Sequence, residues 1–111
     1  MMRWLVRLAR PAPRQLLAPA PPDEVLLQGV AVLRAVGARI LRYDAEAGAL
    51  EARVAPWSIP GVVRLTAVAE GAAARVTIES DAPGSRPLLR LLGRELSRGT
   101  AGGPGDREGG T

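Results

Sequence analysis

From residue 38 to residue 81 apolar side chains recur at every second position, whereas in the stretches on either side they recur three and four apart. A period of two belongs to a strand with one buried face, and a period near 3.6 belongs to an amphipathic helix. A chain that switches from one period to the other and back has few folds open to it. Consecutive strands with short turns form an antiparallel meander, and the flanking helices must bury their apolar stripes against one of its faces.

The first helix opens at Asp23, directly after Pro21 and Pro22, where an acidic residue suits the helix dipole. Val25, Leu26, Val30, Leu33 and Val36 fall within one arc of the wheel, and Gly37 is a natural stop. Four strands follow: ARILRY at 38–43, ALEARVA at 49–55, VVRLTAVA at 62–69 and AARVTIESD at 73–81. Alternation points Leu50, Ala52, Val54, Ala74, Val76 and Ile78 inward, and Glu51, Arg53, Arg75, Thr77, Glu79 and Asp81 outward. Pro83 and Gly84 close the sheet, and SRPLLRLLGRELSR at 85–98 is the second helix, with Gly99 as its stop. The expected fold is α+β: helix, four-stranded meander, helix, with both helices on one sheet face.

Residues 1–22 contain no acid and divide at Pro11 into a basic piece and a Pro/Ala-rich connector that favours extended backbone. The basic piece fits two patterns. As a helix it puts Trp4, Leu5 and Leu8 opposite its arginines, and as a strand it puts Trp4, Val6 and Leu8 on one face, so that residues 3–9 could add an N-terminal edge strand. At the other end, the Gly-rich residues 99–111 carry too little apolar surface to offset the entropy of ordering and are expected to be disordered. Residues 23–98 form the expected single domain.

Composition excludes several chemistries. There is no Cys and no His, which removes thiolate nucleophiles, disulfides, the commonest metal ligands and the usual base near neutral pH. Ser58, Ser80, Ser85 and Ser97 therefore have no histidine to activate them, and no metal or cofactor is expected. The glycines of the tail, GGPGDREGG, follow no strand and precede no helix, so they make no phosphate loop. All fifteen basic residues are Arg, the mark of a GC-rich and so bacterial source. Arg3, Arg7, Arg10 and Arg14 account for the whole net charge of +4, and the remaining eleven Arg balance eleven Asp and Glu. That balance disfavours a uniformly basic nucleic-acid binder, and no sequence-specific DNA- or RNA-reading motif occurs.

No apolar run reaches the length of a signal-peptide core or a membrane span, and the expected compartment is the cytoplasm. Residues 3–10 would give at most weak contact with an anionic membrane surface.

Two candidate surfaces remain. Arg86, Arg90, Arg94 and Arg98 advance by about 40° each around the last helix, opposite Leu88, Leu89, Leu92 and Leu96. Any surface helix shows such segregation, but this stripe has no interleaved acid, and its guanidiniums suit an acidic protein surface or another anion. The second is APWSIPG, a Pro-flanked loop in which Trp57 and Ile59, with Tyr43 nearby, could rim a cleft for an apolar ligand or cap the core. Glu79 and Asp81, on one strand face, are read as cross-strand ion-pair partners of Arg53 and Arg75.

The order of a helix, the EAGALEARV hairpin, the VVRLTAV and ARVTIESDAPG pair and a leucine helix resembles small bacterial α+β domains of unknown function. It is also similar to helix-grip folds that hold apolar ligands; that likeness implies an extra N-terminal strand and a longer closing helix. Neither resemblance assigns a functional residue. The chain is expected to be a noncatalytic interaction module acting through its Arg-lined helix, with an apolar-ligand domain near Trp57 as the alternative.

Overall fold

The computed structural model describes residues 12–55, 60–82 and 84–98. Its elements are β1 (Arg14–Ala18), α1 (Pro22–Ala35), β2 (Arg39–Asp44), β3 (Ala49–Val54), β4 (Gly61–Glu70), β5 (Ala73–Ser80) and α2 (Arg86–Arg98). The fold is α+β, with both helices against one face of an antiparallel sheet ordered β1-β5-β4-β3-β2. The sheet has five strands where the apolar alternation marks four. The additional N-terminal edge strand is present, but it is built from RQLLA, within the stretch read as connector, and pairs with β5 through Leu16 and Val76. Residues 3–9 lie outside the described residues, as does the tail from 99 onward.

The inner face follows the period of two. Leu50, Leu65 and Ile78 stand side by side across β3, β4 and β5, each completely buried. The neighbouring row of Ala52 and Val63 ends at Ser80, whose hydroxyl accepts a hydrogen bond from the Ala82 amide at 3.0 Å. Val25, Leu26 and Leu33 of α1 and Leu89, Leu92 and Leu96 of α2 complete the core, which is wholly aliphatic among the described residues. Burying each such side chain contributes about 1.5–3 kcal/mol.

Gly29 sets how closely α1 approaches the sheet: a Cβ there would lie 3.1 Å from Leu50 Cδ2 and 3.2 Å from Leu65 Cδ1. Helix α1 ends in a Schellman arrangement, in which the Ala38 amide donates to Leu33 O at 2.9 Å and the Gly37 amide to Arg34 O at 3.0 Å. Gly37 has φ +87°, which explains why glycine terminates the helix there. Val36, expected on the apolar arc, is the C-cap and is 47% exposed.

Helix α1 lies over β2, β3 and β4 and α2 over β1, with β5 shared between them, and Gln28 Nε2 joins the helices by donating to Glu95 O at 3.3 Å. The open face carries rows of polar residues. Arg42, Glu51, Arg64 and Glu79 form one row of alternating sign across β2 to β5, with Arg64 Nε 3.2 Å from Glu51 Oε2. At the β2 edge the register slips between Ile40 and Arg42, a bulge that breaks the regular ladder.

Candidate functional site

The arginines of the last helix are where the wheel places them. Arg86, Arg90, Arg94 and Arg98 are exposed, with Leu89, Leu92 and Leu96 buried on the opposite side and Leu88 half-buried. Arg98 leans back along the helix to Glu95, 3.7 Å away, whereas Arg86, Arg90 and Arg94 form no ion pair among the described residues.

β1 adds something that the helix pattern does not contain. Arg14 is paired with Ile78 and so lies on the inner, helix-bearing face of its strand. A Cβ on Gly93 would sit 3.7 Å from Arg14 Nη1, which places that guanidinium against the middle of α2. Arg14, Gln15 and Leu16 of β1 and Arg90, Arg94 and Ser97 of α2 line one groove of about 290 Å³. A second concavity of about 370 Å³ continues it past Arg14 to Pro13, Arg86 and Leu89. Four guanidiniums from two elements thus flank one trough, and no carboxylate lines it among the described residues. The Ser97 hydroxyl is turned back, donating to Gly93 O at 2.7 Å.

Like charges brought together cost free energy unless a counter-charge is supplied, and guanidiniums fork naturally onto carboxylate or phosphate oxygens. The trough is therefore suited chemically to an anion. Its guanidiniums cannot act as bases, because guanidinium does not deprotonate in proteins.

A groove of about 420 Å³ opens between the C-terminal end of α1, the end of β3 and the start of α2, lined by Val36, Val54, Pro87, Leu88 and Leu91 among others. Tyr43 does not line it: its cross-strand partner is Leu50, four residues before Val54 on β3 and so about 13 Å away along the strand. Trp57 and Ile59 lie outside the described residues.

The open-face carboxylates are engaged differently from the expected pairs. Arg75 pairs with Glu70 at 2.9 Å, the register partner of Glu79 is Arg64, and Asp81 Oδ1 accepts the Val62 amide at 2.8 Å. Arg53 faces Arg39 instead of an acid. Asp44 begins the β2–β3 turn, where the Ala47 amide donates to its Oδ1 at 3.0 Å and Arg42 lies 3.4 Å from its other oxygen. These contacts, the Ala47 amide foremost, hold its carboxyl below the ordinary aspartate range. Among the described residues, no group of three or more acidic side chains is arranged to hold a metal ion, and no helix is long and apolar enough to cross a membrane.

No protein-family model matches the chain, and no curated protein matches it. Among solved structures, it is similar to the crystal structure of TTHA0849 from Thermus thermophilus, at 17% sequence identity and a TM-score of 0.37, covering 77% of this chain and 84% of that one. A likeness of that degree carries no functional argument.

Proposed function

We infer that the protein is an interaction module that binds an acidic protein partner in the trough between β1 and α2. The observation that carries this reading is the convergence of Arg14 from β1 with Arg86, Arg90 and Arg94 from α2 around a surface that no carboxylate lines among the described residues. A stripe on one helix is what solvation alone produces. A strand arginine brought against that stripe is a local excess of positive charge in a region whose overall charge is balanced.

The test is the double variant Arg90→Glu, Arg94→Glu, assayed by calorimetry against polyglutamate and against single-stranded RNA. Both positions are exposed, so the circular dichroism spectrum should be unchanged. The reading expects polyglutamate binding that weakens as salt rises and is lost in the variant. Unaltered binding by the variant, or stronger binding of RNA than of polyglutamate by the native protein, would overturn it.

A second reading rests on the groove lined by Val54, Leu88 and Leu91, which is apolar and of the size that small ligands occupy. Here the protein would hold a lipid-like molecule. Trp57 follows two residues after Ala55, which lines this groove. In a Trp4→Phe background, titration with a fatty acid should change Trp57 fluorescence, and Leu91→Asp should abolish that change. A flat titration would remove this reading.

A further inference from the structure

β1 is the first strand of the sheet order: β5 lies on one side of it and, among the described residues, no strand lies on the other. An edge strand presents unpaired amides and carbonyls and is a template for another extended chain. Here the edge runs beside the trough. The two concavities place Pro13 and Arg14 with Arg86, and Leu16 with Gly93 and Ser97, so β1 and α2 run in the same sense with the guanidiniums along the strand. On the open face the same strand exposes Leu17, at 53%.

We propose that the partner is an extended segment of an acidic protein, which joins the sheet as a sixth strand along β1 and alternates acidic with apolar residues. This rests on the anion-binding reading above and adds to it the mode of binding. Successive residues of an added strand point to opposite faces. Those on the helix side meet Arg14, Arg90 and Arg94 and must be Asp or Glu; those on the other side lie beside Leu17 and are apolar. The main chain supplies affinity through ladder hydrogen bonds, and the alternation supplies selection.

A second copy of this chain is a poorer occupant. Pairing β1 with β1 would bring two arginine-lined troughs together, and among the described residues no acid lines them. The other edge also resists addition, since β2 carries the bulge between Ile40 and Arg42.

Four peptides of equal charge, titrated into the full-length protein, test the proposal: alternating Glu and Val, the same residues in blocks, and the alternating peptide with every second backbone nitrogen methylated, in each of its two registers. The expected result is that the alternating peptide binds about tenfold more tightly than the block peptide. One of the two methylation registers should lose binding, because it removes the donors facing β1. Amide exchange of alternate β1 residues should slow on binding, and Arg90→Glu, Arg94→Glu should abolish all of these effects. Equal binding of all four peptides, still lost in the variant, would overturn strand addition and leave the anion reading standing. Binding by none of them would overturn both. A dimer in sedimentation that the alternating peptide fails to dissociate would overturn the proposal in favour of a second copy.

Discussion

Gly93 of α2 lies over Arg14 of β1, so close that a single added carbon would come within 3.7 Å of the guanidinium Nη1, and within the same distance of Leu16 Cδ2. Those separations are ordinary van der Waals contact. Helical glycine costs about 0.5–1 kcal/mol relative to alanine. Gly93→Ala should therefore stabilise the protein by about that amount and raise the thermal midpoint by about 2–6 °C. Arg14 should keep its place, which binding of the alternating Glu/Val peptide would check.

Gly29 is the opposite case. Its surroundings, Leu50 and Leu65, leave room for a methyl group only if one of them yields. Leu65→Ala should cost about 2–5 kcal/mol in urea denaturation, since the side chain is fully buried between Leu50 and Ile78. The double variant with Gly29→Ala should be less destabilised than the sum of the two single variants by about 0.5–1 kcal/mol, because the new methyl group occupies part of the vacated space.

Arg39 and Arg53 are directly opposed on the exposed face, and neither forms an ion pair among the described residues. Like charges in that relationship are destabilising. Arg53→Glu should raise stability by about 0.2–1 kcal/mol in low salt. Measured again near 1 M salt, where the Debye length is about 3 Å, most of that gain should vanish.

The Asp44 carboxyl, lowered by the Ala47 amide and then by Arg42, ties turn stability to pH. A carboxyl with a folded pKa below its unfolded value stabilises the fold above the unfolded value of about 3.9, and that contribution is lost as pH falls through the folded value. Asp44→Asn should therefore flatten the acid limb of the stability profile below about pH 4 and leave its slope near neutrality unchanged. A carboxyl carbon chemical shift titration should show Asp44 with a midpoint below the ordinary aspartate value of about 3.9.

How far the sequence foretold this structure depends on whether a feature is local. Leu50, Ala52 and Val54 alternate with Glu51 and Arg53, and the three apolar residues are buried. Gly37 ends α1 through a hydrogen-bond pattern contained within six residues. β1 has no such signature: in RQLLA two leucines are adjacent and two polar residues precede them, and its strand character comes from pairing with β5, some sixty residues away. The trough between β1 and α2 shares that difficulty. Its α2 arginines are plain on a helical wheel, but Arg14 joins them only through the β1–β5 register. Registers also explain why Arg53 meets Arg39 and why Glu79 stands opposite Arg64, since alternation decides the face of a residue and not its neighbour on the next strand.

The slip between Ile40 and Arg42 has a meaning for assembly. A sheet that can be extended from both flanks is a monomer unit for fibres, because every addition creates a fresh place for the next. With the far flank interrupted, β1 is the regular flank of this sheet among the described residues. A guest strand of the kind proposed above would therefore end the sheet where it docks, without seeding a polymer.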